Sequence, residues 1–170
     1  MMKALILSDS HGLTELLEVI SKRHREDVDL MIHCGDSELE LDAKELQGFH
    51  VVRGNCDFRG EFPEEFIHQE NDVKIYATHG HLYGIKQTLQ KLHYRCRELG
   101  ATIACFGHSH MLGAEVIDGI LFINPGSILL PRMRKEKTYA IIDTDGKSAK
   151  VIFYTIDGNE LLSASFDLNQ

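Results

Sequence analysis

Two histidines one residue apart could bind a metal ion at the end of a predicted strand. The tetrapeptide Gly107-His108-Ser109-His110 follows the apolar run 101–106, which has the length and composition of a buried β-strand. In extended chain, residues two apart point to the same side, so both imidazoles can face one ion. The alternative is an unrelated pair of loop histidines, since the chain contains 10 histidines. The other strand ends decide between these interpretations.

Four further apolar runs also end in residues that can bind a metal. These runs are 3–7, 29–33, 49–53 and 72–78. The side chains that follow them are Asp9 with His11, then Asp36, Asn55 and His79. Because the strands alternate with predicted helices, a largely parallel sheet is expected, and ligands of such sheets gather beyond the carboxyl ends of the strands. The sequence therefore predicts that these side chains converge with His108 and His110 on one site.

The chemistry of this set favours two metal ions over one. Two aspartates, one asparagine and four histidines offer oxygen and nitrogen ligands without a thiolate, which suits Mn²⁺, Fe or Zn²⁺ better than Ca²⁺. Such a set is too large for one tetrahedral site with an open position. It fits two ions that share a carboxylate and a water, an arrangement that can clamp an in-line displacement at phosphorus. Taken singly, each residue could instead be a cap, a turn residue or a hydrogen-bonded histidine.

The remaining pattern predicts the elements that must hold this site. Apolar residues at helical spacing predict helices over 13–24, 39–46 and 85–99, and Gly100 is a suitable helix stop. Short strands separated by Asp-Gly turns are predicted over 114–118, 120–123, 138–143, 150–156 and 160–166. The C-terminal third should thus be antiparallel, and the chain should form two packed sheets with helices outside. Residues 58–70 are expected to be irregular and packed on an edge, with a lip over the site or a subunit contact as the alternative.

Length and composition fit a single domain, residues 1–170, in which 43% of the residues are hydrophobic. The net charge of -8 disfavours an extended nucleic-acid surface or an anionic membrane partner, although bound divalent ions would reverse the sign locally. The four cysteines suggest no disulfide framework, and Cys96 and Cys105 fit core positions. No signal peptide or membrane-spanning run is visible, which predicts a cytoplasmic protein.

Five short motifs, taken in order, resemble one known family. They are Asp9-x-His11, Gly35-Asp36, Gly54-Asn55-Cys56-Asp57, His79-Gly80-His81 and Gly107-His108-Ser109-His110. The set is similar to that of the calcineurin-like metallophosphoesterase superfamily, and the Gly-Asn-Cys-Asp form looks like its small prokaryotic YfcE-like phosphodiesterase branch. The resemblance covers about residues 3–127. It implies an α/β fold, a four-layer αββα sandwich of two mixed β-sheets packed face to face with helices outside.

The resemblance also implies a ligand set and a reaction. One metal would take Asp9, His11, Asp36 and His110, and the other Asp36, Asn55, His79 and His108, with Asp36 bridging. We expect two divalent ions, Mn²⁺ first, with Zn²⁺, Fe²⁺ or Ni²⁺ as alternatives. A hydroxide held between them would attack a small phosphate ester in line, without a covalent intermediate. Asn55 and His81 are the expected contacts to the phosphoryl group, and His81 could instead be structural.

One position departs from the wider superfamily. Many members have a histidine after the Gly-Asn pair, whereas this chain has Cys56. A thiol beside two cations is a poor general acid, because the cations would lower its pKa. Either metal charge must then stabilise the leaving alkoxide, or the preferred leaving group must be a good one, and a phosphodiester is favoured. Cys56 itself could be a metal ligand or inert packing, and Arg132 could contact substrate or lie in an exposed basic loop.

The alternative function is a scaffold without turnover. A non-catalytic metal-binding protein is one form of it, and a protein-assembly subunit like the retromer member of the superfamily is another. The complete ligand set favours the enzyme, because a scaffold does not need it. A homo-oligomer is compatible with the sequence.

Overall fold

Eleven strands and two α-helices form the part of the chain that the computed structural model describes, residues 1–169. In chain order they are β1 (Met2–Leu7), α1 (Glu15–His24), β2 (Leu30–His33), β3 (Phe49–Val51), β4 (Glu65–Glu70), β5 (Val73–Thr78), α2 (Gln90–Leu99), β6 (Ile103–Cys105), β7 (Gly113–Ile117), β8 (Ile120–Asn124), β9 (Thr138–Thr144), β10 (Ser148–Thr155) and β11 (Glu160–Asp167). Short 3-10 helices cover Lys44–Leu46 and His81–Tyr83.

The strands form two mixed sheets. The first has the order β11-β10-β9-β1-β2-β3, in which β1, β2 and β3 are parallel and β9 to β11 are antiparallel. The second has the order β4-β5-β6-β8-β7, in which β5, β6 and β8 are parallel and the two edge strands are antiparallel. Each sheet therefore has three parallel strands. The expectation of an antiparallel C-terminal third is wrong for β8, which lies parallel to β6.

Alternating side chains sort the molecule into four layers. Along β1, Ala4 and Ile6 lie in an apolar cluster built from both sheets, whereas Leu5 and Leu7 pack with α1. On the far side of the second sheet, α2 contributes Leu92 to a third cluster. Each fully buried Leu or Ile side chain stabilises the fold by about 1.5–3 kcal/mol. The order of layers is helix, sheet, sheet, helix, which confirms the predicted α/β sandwich.

Three local predictions were wrong. Residues 65–70, expected to be irregular, form edge strand β4, which pairs with β5 across a turn at Asn71. The helix expected over 39–46 is only the 3-10 turn Lys44–Leu46. The helix expected from 85 begins at Gln90, because Gly84 has a left-handed backbone and Ile85 instead packs against Gly80.

No helix in residues 1–169 combines the length and the apolar character that crossing a membrane would require.

Candidate metal centre

The predicted ligands lie on loops at the carboxyl ends of the parallel strands. The loops after β1, β2 and β3 carry two aspartates, an asparagine and one histidine, namely Asp9, Asp36, Asn55 and His11. The loops after β5 and β6 carry only imidazoles, namely His79, His108 and His110. Backbone pairing continues beyond the strands, since Asp9 N–H donates to Gly35 O (3.0 Å) and Gly107 N–H to His79 O (3.0 Å). Neighbouring strands thus deliver their ligands side by side.

Five of these seven residues have a left-handed backbone. The φ angles are 56° for Asp9, 42° for His11, 59° for Asp36, 68° for His108 and 61° for His110. This conformation costs a residue with a side chain about 1–3 kcal/mol, and such strain is concentrated at functional sites. The loops therefore hold geometries that the isolated chain would avoid.

One half of the site is formed by Asp9, His11 and His110. His110 Nε2 lies 3.2 Å from Asp9 Oδ1, and His11 Nε2 lies 3.9 Å from the same oxygen. The two imidazole Nε2 atoms are 3.3 Å apart. These three residues can offer ligand atoms that all lie within 4.8 Å of one another, which is compatible with one metal ion.

The other half is centred on His79. Its Nε2 lies 3.1 Å from Asn55 Oδ1 and 3.2 Å from Asp36 Oδ2. Asp36 Oδ2 is also 4.0 Å from His11 Nε2, so this carboxylate lies between the two halves. Asp9, Asp36 and His79 form a second group that could hold a metal.

Backbone carbonyls orient two of the imidazoles. His79 Nδ1 donates to Cys34 O (2.7 Å) and His110 Nδ1 donates to Leu130 O (2.7 Å). Because a carbonyl only accepts, each Nδ1 must carry the proton, and each neutral ring points an Nε2 lone pair into the site.

The buried oxygen of Asp9 tests whether a cation fits. Within residues 1–169, Asp9 Oδ1 is buried without a hydrogen-bond partner. It faces the Nε2 atoms of His110 and His79, at 3.2 and 3.8 Å. Lone pairs that converge in this way need a cation between them, since a buried unpaired carboxylate oxygen is costly. The donor set fits a metal ion.

The aspartates remain ionised in this environment. Burial raises the pKa of Asp9, but His110 and His79, when a proton occupies Nε2 in place of a metal ion, outweigh burial together with Ser8, and the net shift is downward. Burial also raises the pKa of Asp36, yet His79 and the Cys56 N–H lower it to about 2. Both side chains can therefore act as anionic ligands near neutral pH.

His108 and His81 lie on the His79 side of the centre. The ring of His108 is 5.1 Å from that of His79 and 6.2 Å from that of His81. Burial and the charge of His79 lower the pKa of His108 to about 4 and that of His81 below its usual value. Among the described residues, His81 Nδ1 is a buried atom without a hydrogen-bond partner. His81 is therefore next to the site but belongs to none of the three groups of possible metal ligands found in residues 1–169.

Cys56 lies at the edge of the centre rather than in the core. Its Sγ can join His11 and Asp36 in a third group of possible ligands within 4.8 Å. Burial and nearby carboxylates, Asp36 first, raise the pKa of the thiol to about 11. Cys96 and Cys105 are fully buried, as the sequence predicts.

Asp57 has a structural role that the sequence did not reveal. Its Oδ2 accepts the N–H groups of Asp36 (2.8 Å) and Gly54 (2.7 Å), and Oδ1 accepts that of Glu38 (2.8 Å). The buried carboxylate thus joins the loops after β2 and β3. Gly54 is required here because an added Cβ would overlap the Asp36 carboxylate. The position of Asp57 in the Gly-Asn-Cys-Asp motif is the one signal that could have indicated this role.

Glu38 is a second residue that the sequence did not reveal. Its Oε2 lies 2.9 Å from His11 Nδ1, whereas the partners of His79 and His110 are neutral carbonyls. A carboxylate behind a metal-binding imidazole fixes the ring and strengthens its bond to the metal, and losing it costs about 10–100-fold in affinity.

Glu38→Gln is therefore expected to weaken Mn²⁺ binding about 10–100-fold. Isothermal titration of the metal-free protein measures the effect, with Glu40→Gln as a control because Glu40 is exposed two residues away. An unchanged dissociation constant in Glu38→Gln would show that the pair does not support the metal.

His33 couples the stability of this region to pH. Its Nδ1 accepts Gly35 N–H (3.0 Å), so Nε2 carries the proton and donates to Ser10 Oγ (2.8 Å). Burial is the main cause that lowers the pKa of His33 to about 4 from 6.5. Below pH 6.5 His33 is protonated in the unfolded chain but stays neutral in the folded chain. The free energy of unfolding therefore falls as the pH falls towards 4.

Because of His33, lowering the pH from 7 to 5 is expected to reduce the free energy of unfolding of the metal-free protein by about 2 kcal/mol. Urea unfolding of wild type and His33→Gln at both values measures this. The variant should be less stable at pH 7 but should lose less on acidification. Equal losses in the two proteins would contradict the assignment.

Comparison with known proteins identifies the family. The family model described as the calcineurin-like phosphoesterase superfamily domain matches residues 2–147. The chain belongs to the calcineurin-like phosphoesterase superfamily. A relative in this family, the probable metallophosphoesterase YsnB of Bacillus subtilis, is 56% identical over 160 residues, which are 94% of this chain and 95% of YsnB. The phosphodiesterase YfcE of Escherichia coli is 30% identical over 103 residues, or 56% of this chain and 52% of YfcE. The resemblance of the motifs is thus confirmed.

Solved structures show the same fold. A phosphoesterase-like protein of unassigned function from Streptococcus pneumoniae superposes with a TM-score of 0.94 at 39% identity, covering 98% of this chain and 97% of the other. Vps29 of Entamoeba histolytica, crystallised with Zn²⁺, gives a TM-score of 0.77 at 21% identity and covers 99% of this chain and all of its own, 100%. At that identity the likeness to Vps29 shows the fold alone. The superfamily is metal-dependent, in agreement with the Asp/His groups described above.

Proposed function

We propose that this protein is a phosphodiesterase with two divalent metal ions, in which a hydroxide held between the ions attacks phosphorus in line. The position of Asp36 carries this proposal. Its Oδ2 lies between His79 Nε2 (3.2 Å) and His11 Nε2 (4.0 Å), as a carboxylate shared by two ions would. Mn²⁺ is the favoured ion because the donors are oxygens and imidazole nitrogens; Zn²⁺, Fe²⁺ and Ni²⁺ are alternatives.

The surrounding residues divide the work of binding and orientation. Asp9, His11 and His110 would hold one ion with Asp36, while Asn55, His79 and His108 would hold the other. The strained loops and the Asp57 hydrogen bonds keep these atoms in place before substrate arrives. Preorganised charges of this kind cost no rearrangement during the reaction.

The leaving group determines the favoured substrate class. The Cys56 Sγ lies within reach of His11 and Asp36, and cations bound there would favour its thiolate, so Cys56 is a poor proton donor to the leaving group. A leaving alkoxide or phenolate must then be stabilised by the cations. Esters with good leaving groups are favoured. The relative YfcE is named a phosphodiesterase, which supports a diester as the substrate.

Hydrolysis of bis(p-nitrophenyl) phosphate by the Mn²⁺-reconstituted protein tests the proposal. We expect release of p-nitrophenolate that stops with chelator and returns with Mn²⁺. The rate should exceed that on p-nitrophenyl phosphate. A scaffold would instead bind two ions without turnover, and that result would overturn the enzyme assignment.

His81 is proposed to contact the phosphoryl oxygens. Its ring lies 5.4 Å from that of His79, and its buried Nδ1 has no partner within residues 1–169. His81→Gln is expected to lower kcat about 100-fold while leaving two metal ions bound. His68→Gln on β4 is the control. Loss of metal from His81→Gln would make it a ligand, and an unchanged kcat would make it structural.

A further inference from the structure

An exposed arginine is fixed next to the metal centre. The backbone N–H of Arg132 donates to the backbone carbonyl of His110 (3.0 Å), and His110 Nδ1 donates to the backbone carbonyl of Leu130 (2.7 Å). The segment 130–132 is therefore attached to the same residue that contributes Nε2 to the site. The backbone of Arg132 is thus held beside the centre, and its side chain is exposed there.

A lysine lies next to the other half of the centre. Lys86 follows Ile85, a buried side chain packed against Gly80 in the turn between His79 and His81. Tyr83 N–H donates to Gly80 O (3.0 Å), which closes this turn. Lys86 is therefore attached, through Ile85, to the turn that follows His79.

Neither cation is neutralised by the protein itself. Within residues 1–169, no carboxylate lies within 4.0 Å of Arg132 or Lys86, although the chain has 26 acidic and 18 basic side chains. Both side chains are exposed. Most Lys and Arg side chains within residues 1–169 likewise lack a carboxylate partner, but these two lie on separate loops beside one site, where they are available to an anion from solution. The guanidinium can bind a phosphate through two hydrogen bonds, and the ammonium adds a point charge.

We propose that Arg132 and Lys86 bind a second anionic group of the substrate, so that the preferred substrate is a phosphodiester carrying a further phosphate. The inference rests on the proposed hydrolysis at the metal centre. The metal ions would neutralise the phosphoryl group under attack, and the two side chains would bind the second phosphate. A diester without that phosphate leaves both cations unused.

A matched pair of chromogenic substrates tests this specificity. The first is thymidine 5′-(p-nitrophenyl phosphate), and the second is the same compound with a 3′-phosphate. Both release p-nitrophenolate, so the leaving group is constant. With Mn²⁺-loaded protein, kcat/KM should be about tenfold higher for the second compound, mainly through KM, since hydrogen bonds to charged groups contribute about that much.

Charge-removing variants identify the residues responsible. Arg132→Gln and Lys86→Gln should each reduce the ratio of the two kcat/KM values, and the double variant should bring it close to one. Arg134→Gln is the matched control, because it removes the same charge from the same exposed loop and should keep the ratio. Added salt should lower the wild-type ratio by screening the second phosphate.

The outcomes separate this inference from the proposed function. Hydrolysis of both substrates at equal kcat/KM would overturn the role of the two cations and leave the phosphodiesterase intact. Failure to hydrolyse either substrate would overturn the phosphodiesterase, and the inference with it. A ratio that Arg134→Gln lowers as much as Arg132→Gln would show a general charge effect instead of a site.

Discussion

Replacing Asp36 with alanine is expected to remove both metal ions and to lower hydrolysis about 1,000-fold or more, since the ions supply both the nucleophile and the charge stabilisation. Asp36 Oδ2 lies 3.2 Å from His79 Nε2 and 4.0 Å from His11 Nε2, so this oxygen faces both halves described above, as Asp9 Oδ1 also does. Its Oδ1 accepts the Cys56 N–H at 2.8 Å, so the loop after β3 would also lose a contact.

Metal content and turnover should be measured on the same preparation. Asp42→Ala is the control, because Asp42 is exposed on the surface and lies outside the site. Asp36→Asn keeps the shape of the side chain, and its circular dichroism would show whether the fold survives. Full metal content together with wild-type turnover in either Asp36 variant would refute the shared-carboxylate scheme.

The second large effect is expected from the histidine turn between Gly107 and Met111. His110 Nε2 lies 3.2 Å from Asp9 Oδ1, whereas the ring of His108 packs 5.1 Å from that of His79. The two side chains therefore face different halves. His110→Ala and His108→Ala should each retain about one of the two ions and lose about 100-fold or more in kcat, because one ion cannot clamp both oxygens.

The ratio of metal to protein and the electron paramagnetic resonance of Mn²⁺ test this division. A coupled pair of ions should give way to the signal of an isolated ion in each variant. His68→Ala on β4, away from the centre, should keep the coupled pair. Equal depletion of both ions by each substitution would refute the division.

The ligands were predictable because parallel strands bring their ends together. Once the apolar runs were recognised as strands, Asp9 and Asp36 had to lie close together, because β1 and β2 are parallel neighbours. His79 joins them because the second sheet packs face to face on the first. The supporting contacts were not predictable in this way. Glu38 reaches His11 only because residue 38 has a left-handed backbone, with φ 55°, and no periodic pattern encodes such a turn.

The errors in the fold arise at the margins of the sheets and helices. Strand β4 is an edge strand whose residues are mostly half-buried or exposed, so it lacks the apolar alternation by which β5 was recognised. In α2 the apolar spacing is real, but Ile85 packs on a glycine turn before the helix begins. Side-chain periodicity records which face is buried, not where the backbone first becomes helical.

The division of the ligands between the two sheets has a consequence for the choice of ion. The first sheet supplies every oxygen donor, and the second supplies nitrogen alone. A cation that prefers oxygen, such as Ca²⁺ or Mg²⁺, would bind the first sheet and leave the second without a bond. A cation that accepts both donors would instead cross-link the two sheets at the ends of their parallel strands. The same distribution of ligands would then determine which ion binds and whether that ion holds the two sheets together. It is set by which strands are followed by a carboxylate and which by an imidazole.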